Sequence, residues 1–141
     1  MAILDEFRAA IGAENVLTGE DTAKWRKDWT GDYILNPAAV LRPGTTAEVA
    51  AILKIANAAQ LPIIPVSGNT GLTGATSNDG ALMLSVDRLN EIRSIDPDGR
   101  SIIVGAGAVL DTIHSAADAH NLIFPLTFGA RGTAMIGGAL S

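Results

Sequence analysis

Glycines at positions 68, 71 and 74 follow directly on the apolar run Leu61-Pro62-Ile63-Ile64, and no other feature constrains this chain as much. The stretch reads Pro65-Val66-Ser67-Gly68-Asn69-Thr70-Gly71-Leu72-Thr73-Gly74. Glycine lets another group approach the backbone closely. Successive backbone N–H groups in such a bend form a concave nest for an anion. The Ser67, Thr70 and Thr73 hydroxyls and the Asn69 amide add side-chain hydrogen bonds. Taken alone, the residues leave two readings open: a loop around a phosphate or pyrophosphate, and a glycine-rich turn between two strands.

The surroundings of the loop are those of an α/β unit. Ala38-Ala39-Val40-Leu41 is a short strand, ended by the turn Arg42-Pro43-Gly44. With Thr45 as N-cap, Glu48 falls at N3, the capping-box arrangement. Val49, Ile52, Leu53 and Ala56 then form one apolar stripe, which predicts a helix over 46–59. The strand at 61–65 follows, so the order is βαβ, a parallel pair with a right-handed crossover. Beyond the loop, Ala81-Leu82-Met83-Leu84-Ser85 is an interior strand. A hairpin closes over Asp96-Pro97-Asp98-Gly99, and 101–104 pairs back across it. Gly105-Ala106-Gly107 opens a helix over about 109–119 with Leu110, Ile113 and Ala117 facing in, and 122–126 returns as an extended segment. At the start, residues 2–11 form an amphipathic helix with Ile3, Leu4, Phe7 and Ile11 on one face. Residues 21–29 hold a further turn or two of helix, and the loop 27–33 packs Trp29 on the core. The expected fold class is α+β, a small mixed sheet with a βαβ start.

Composition narrows the partners. The chain of 141 residues is 48% apolar and 18% charged, with a mean hydropathy of +0.28, which suits a globular domain. No run reaches the ~20 apolar residues of a transmembrane helix. The net charge is −5 and the basic residues are scattered, which argues against a nucleic-acid surface. Cysteine is absent, so thiolate nucleophiles and thiolate metal sites are excluded. His114 and His120 have no carboxylate partner at metal-ligand spacing and read as solvated or helix-end histidines. The first dozen residues lack a basic n-region and an apolar h-region, so a cytoplasmic protein is the expectation.

A second loop of glycine and small residues ends the sequence: Thr127-Phe128-Gly129-Ala130-Arg131-Gly132-Thr133-Ala134-Met135-Ile136-Gly137-Gly138-Ala139-Leu140-Ser141. It carries no cap or turn signal and reads as loop throughout. Neither loop has the G-x-G-x-x-G spacing opening a helix of the dinucleotide fold, and no lysine follows Lys54 to serve a P-loop.

The two loops together resemble the flavin-contacting loops of FAD-linked oxidases of the vanillyl-alcohol oxidase/p-cresol methylhydroxylase type. Within these the chain is most similar to the D-2-hydroxyacid dehydrogenases, a subgroup that includes D-lactate dehydrogenase, the glycolate oxidase D subunit and D-2-hydroxyglutarate dehydrogenase. Asp28-Trp29, Arg42-Pro43, Arg88-Leu89-Asn90, Gly105-Ala106-Gly107 and Phe124-Pro125-Leu126 add to the resemblance, which runs from about residue 26 to the end.

The resemblance implies a helical segment at 1–35 and an FAD-binding domain at 36–141, truncated before the cap domain that carries the family's catalytic histidines and metal site. Ser67, Gly68, Asn69, Thr70 and Gly71 would hold the pyrophosphate through backbone N–H groups, with Asn69 and Thr70 as side-chain donors, and Pro65 and Val66 before them would also belong to the cofactor-binding set. Gly74, Ala75 and Thr76 would continue along the cofactor. Pro125, Leu126 and Gly129 would lie near the flavin or ribityl part, and Gly132, Thr133, Ile136, Gly137 and Gly138 would form the second wall. Some relatives attach flavin to a first-loop histidine; none stands between positions 65 and 80, which implies noncovalent FAD. The Ser67 position is often glycine in relatives, and His114 and His120 match no catalytic position, so no catalytic residue is expected here. A 2-hydroxy acid would bind only in the full-length enzyme. The alternatives are a non-catalytic nucleotide-binding or partner-dependent fragment, self-associating through edges exposed by truncation, and a small α/β scaffold without ligand.

Overall fold

The computed structural model describes residues 2–140. Helix α1 (Ala2–Ile11) leads into β1 (Val16–Leu17), a 3-10 helix at Gly19–Arg26, β2 (Leu35–Asn36) and β3 (Ala39–Leu41). Helix α2 (Thr46–Ala58) joins β3 to β4 (Ile63–Val66). After the glycine loop come β5 (Asn78–Asp79), β6 (Leu82–Ser85), the hairpin β7 (Ile92–Asp96) and β8 (Ser101–Val104), α3 (Leu110–Asp118) and α4 (Ile136–Leu140). The fold is α+β, as the residue pattern predicts. None of the described helices is long and apolar enough to cross a membrane.

The principal sheet has the order β1-β3-β6-β4. Strands β3 and β4 both run parallel to β6, and β1 is antiparallel on β3. The βαβ unit is therefore present, but its two strands are not neighbours, because β6 inserts between them. Burial explains the order. All four residues of β6 are buried, whereas β4 carries half-buried Ile63 and Ile64 and exposed Pro65. Proline cannot donate to a ladder, so a strand containing it belongs at an edge. Two small sheets complete the structure, parallel β2–β5 and antiparallel β7–β8.

Alternation along the central strands sorts the core into two faces. Ala39, Leu41, Leu82 and Leu84 pack with Phe7 and Ile11 of α1 and Ile52 and Ala56 of α2. Val40, Met83 and Val66 face the other way, against Trp25 and Leu35. The described part of residues 1–35 thus shares its core with the rest through β1 and α1. Trp25, 6% exposed, fills the place expected of Trp29, which is 71% exposed. The reason is the 3-10 geometry over Gly19–Arg26, which turns Trp25 inward and leaves the loop after it outside. Leu53 departs from its expected stripe and is half-exposed, while Ile52 and Ala56 are buried. Thr45 Oγ1 accepts from the Glu48 N–H at 3.1 Å, and the Glu48 carboxylate reaches back to the Gly44 N–H at 2.7 Å, one residue before the N-cap.

The segment 122–126 is extended but joins no strand, and the end of the second loop is not loop: Ile136–Leu140 winds into α4. Ile136 drives this by burying itself with Ala108, Leu110, Ile113 and Ala134.

At the carboxyl end of the parallel strands, Arg42 follows β3 and Asp87 follows β6. Arg42 Nη2 donates to Asp87 Oδ2 at 3.0 Å, Arg42 Nε lies 3.2 Å from both carboxylate oxygens, and Lys24 Nζ is 3.7 Å away. Both cations also lie over the Trp25 ring, at 4.9 Å for Lys24 and 5.6 Å for Arg42. Burial pushes the Asp87 carboxyl up, but hydrogen bonding and charge from Arg42, with help from Ser85 and Lys24, outweigh it and hold the group below its ordinary value. A depressed carboxylate stabilises the fold above its unfolded pKa, and that contribution disappears as pH falls through the folded value. Asp87→Asn is expected to lower stability by about 1–3 kcal/mol at neutral pH. The variant should also lose less stability than the native chain on acidification below about pH 4. Urea midpoints measured across that range check both.

Candidate functional site

The first glycine loop leaves β4 at the carboxyl edge of the parallel strands, where open α/β sheets bind their ligands. Its backbone is held open by its own side chains. Asn69 is left-handed, at φ 51°, a conformation asparagine tolerates better than most residues. Its Nδ2 donates to the Lys27 carbonyl at 3.1 Å, and its Oδ1 accepts from Thr76 Oγ1 at 2.7 Å. The Asn69 amide and the Thr76 hydroxyl therefore brace the loop, and one of the two Asn69 amide hydrogens is already committed. The backbone N–H groups of residues 67–71 are different. Among the described residues, none of them donates to a protein acceptor. Five consecutive free donors are the composition of an anion nest.

The second loop comes to the first through a third glycine segment. Leu110 N–H donates to the Ala134 carbonyl at 3.0 Å, Ile136 N–H to Ala108 at 2.9 Å and Gly137 N–H to Ala106 at 2.8 Å, so 134–137 lies along 106–110 like a short strand pair. Gly107 N–H in turn donates to the Leu89 carbonyl at 2.8 Å. A Cβ on Gly107 would overlap the Val86 carbonyl oxygen, and one on Gly68 would overlap that of Thr133. A Cβ on Gly138 would lie 2.5 Å from Ser67 Oγ. The two loops are in backbone contact.

Two cavities flank that contact and share Ser67, Asn69 and Met135 in their walls. One, of about 480 Å³, takes Pro65, Thr70, Gly71, Ala75 and Thr76 from the first loop side and Leu126, Phe128 and Gly138 from the second. The other, of about 590 Å³, adds Gly68, Gly132 and Thr133 and reaches Trp25, Lys27 and Trp29 on the N-terminal side. Twelve of the residues singled out in the sequence thus meet around one contact.

The other six stand elsewhere. Val66 and Ile136 are core. Gly74, at φ 70°, lies against the Tyr33 ring, and Gly137 packs on Ala106. Gly129 is exposed and lines neither cavity, and Pro125 is shared with a groove of about 640 Å³ along α3 instead of the 480 Å³ cavity. Sequence reasoning passed over Met135, Phe128, Lys27 and Trp29 as wall residues. Met135 lies inside the second glycine loop with no spacing signal of its own, and Trp29 reads from the sequence as a core residue.

A pyrophosphate fits what is present. The free donors of 67–71 match its oxygens, and the adjoining walls pair polar groups with the apolar faces of Leu126, Phe128 and Met135, as an elongated ligand with one charged and one aromatic part requires. Among the described residues no cluster of three or more His, Asp or Glu stands at metal-binding distance.

The glycines separate cleanly by role. Gly68→Ala is expected to cost about 1–3 kcal/mol through backbone overlap with Thr133. Gly71, whose added Cβ meets nothing within 4 Å, should accept alanine within about 0.5 kcal/mol. Thermal melts of the two variants check the contrast.

Known proteins resemble this chain in sequence and in fold. The chain is 38% identical over 122 residues to a D-2-hydroxyglutarate dehydrogenase of Xanthomonas citri pv. viticola, covering 86% of this chain and 26% of that protein. It is 39% identical over 103 residues to a D-lactate dehydrogenase of Archaeoglobus fulgidus, covering 72% of this chain and 23% of that protein. The chain thus spans about a quarter of the length of these curated relatives. The crystal structure of p-cresol methylhydroxylase with substrate bound superposes with a TM-score of 0.77 at 25% identity, over 94% of this chain and 27% of that one. Alkyldihydroxyacetonephosphate synthase shares the fold, with a TM-score of 0.83 at 14% identity over 99% of this chain and 28% of that one. The FAD binding domain family matches residues 37–141, and the chain belongs to that family.

Proposed function

We propose that this chain is the flavin-holding part of a flavin-dependent dehydrogenase that oxidises a D-2-hydroxy acid of the lactate, glycolate or 2-hydroxyglutarate kind. The observation that carries the cofactor half is the run of free backbone donors at 67–71, set at the carboxyl edge of the sheet and facing a second glycine loop. The substrate half rests on the relatives, which are D-2-hydroxyglutarate and D-lactate dehydrogenases. FAD, held noncovalently, supplies a two-electron acceptor: a hydride leaves C2 of the hydroxy acid and a proton its hydroxyl, giving the 2-oxo acid.

The chain's own residues bind and orient. Backbone N–H groups of 67–71 receive the pyrophosphate, and the Thr70 hydroxyl adds a side-chain donor. Asn69 and Thr76 keep the loop open, so those donors need not be reorganised when the anion arrives. Leu126 and Met135 give the planar part an apolar wall, while Gly132, Thr133 and Gly138 let the second loop close on it. We take 36–141 as the flavin-holding unit, with 1–35 completing its sheet. No catalytic residue is assigned here. Substrate contacts belong to segments equivalent to the rest of the relatives' length, and any self-association through the β4 edge belongs to this same proposal.

Titration of the chain with FAD, by calorimetry and fluorescence quenching, tests the cofactor half. Saturable binding is expected without turnover. Gly71→Asp should weaken it by about tenfold or more, since a carboxylate placed in open space beside the nest repels the pyrophosphate at little cost to the fold. A chimera in which this chain replaces the matching portion of the Xanthomonas enzyme tests the substrate half. Reduction of a dye by D- but not L-2-hydroxy acids is expected. Flavin binding with none of these acids oxidised overturns the substrate class and leaves the cofactor.

A further inference from the structure

His114 sits in the middle of α3, where its spacing alone suggests a solvated side chain. The structure gives it a partner. His114 Nε2 lies 2.8 Å from the Leu126 carbonyl oxygen, and the ring packs on Phe124 with centroids 5.9 Å apart and planes at 54°. A carbonyl only accepts, so Nε2 carries the hydrogen of this bond.

Phe124 and Leu126 pack on the core of Ala108, Leu110, Ile113, Ala134 and Ile136, and the His114 bond is the directional tie that sets where the segment lies on it. Residues 122–126 join no strand, Ile123 is 89% exposed, and among the described residues the last backbone hydrogen bond of this stretch is Leu122 N–H to the Ala117 carbonyl at 3.0 Å. The next tie along the chain is Arg131 N–H to Phe128 at 3.1 Å. Between them the His114 bond fixes Leu126, which lines the 480 Å³ cavity. The same helix holds the far side of the second loop: Asp111 N–H donates to the Arg131 carbonyl at 3.2 Å, and the Asp111 carboxylate is 3.2 Å from Arg131 Nε. One face of α3 therefore clamps both ends of the loop 126–131.

We propose that His114 is a positioning residue, which fixes the Phe124-Pro125-Leu126 segment against α3 and so sets the apolar wall of the flavin cavity. The proposal rests on the FAD reading for its functional consequence but not for the anchoring itself. Glutamine can place an amide hydrogen at similar reach; alanine and phenylalanine cannot donate.

The test compares the native chain with His114→Ala, His114→Phe and His114→Gln. Amide hydrogen exchange of 122–128 is read without cofactor, and FAD affinity and the fluorescence of bound flavin are read with it. The expected result is faster exchange in the alanine and phenylalanine variants, confined to that segment. FAD should bind roughly three- to tenfold more weakly with altered flavin fluorescence, and glutamine should restore both. Unchanged exchange in His114→Ala overturns the proposal whether or not FAD binds. Faster exchange with FAD affinity and fluorescence unchanged also overturns it, because the segment would then not shape the cavity. Failure of the FAD reading shows separately, as absence of binding to the native chain or binding insensitive to Gly71→Asp.

Discussion

Backbone touching backbone is the constraint on which this structure depends. The Thr133 carbonyl occupies the space a side chain would need at position 68, and the Val86 carbonyl does the same at position 107. Contacts this close are open only to glycine, and they bring four separate stretches of chain within reach of one another. The sequence runs from the end of β6 through 89, 107 and 106 to 137 by backbone hydrogen bonds, and then to Ser67 by the packing of Gly138. Hydrophobic burial builds the layers on either side, but it does not specify where two loops meet. Exclusion of Cβ does.

The parallel sheet supplies the platform. Because β6 is buried along its full length it takes the centre, and β4 with Pro65 is left at the edge with its loop free to turn outward. The Arg42–Asp87 pair then closes the carboxyl ends of the two neighbouring strands beneath Trp25. A charged pair in that position costs desolvation, and its return is a fixed geometry where the strand ends open into the site.

Much of this was legible in the residues. The helices at 2–11, 46–59 and 109–119, the interior strand at 82–85 and the hairpin over 96–99 follow from periodicity, capping and turn chemistry, and the structure has each of them. Strand order was not legible, because local pattern says that β3 and β4 are parallel without saying what lies between them. Trp25 and Trp29 stand four apart in a polar stretch, and only the 3-10 winding decides which is inside. Helix α4 escaped notice because Gly137 and Gly138 argue against a helix, and the burial of Ile136 overrides them. In the site, the glycines were visible as spacing. The reach of Met135, the bracing by Asn69 and the hydrogen bond of His114 depend on distances across more than ten residues of chain.

The Asn69 brace has a consequence for what counts as the domain. The FAD binding domain family matches from residue 37, yet the loop that it centres on is tied through Asn69 to the Lys27 carbonyl, and the sheet is finished by β1. A boundary drawn at the start of that match would cut this molecule inside its mechanical unit. The first three dozen residues act as a strut: they contribute no recognisable cofactor motif of their own, and they keep the motif that follows in working shape.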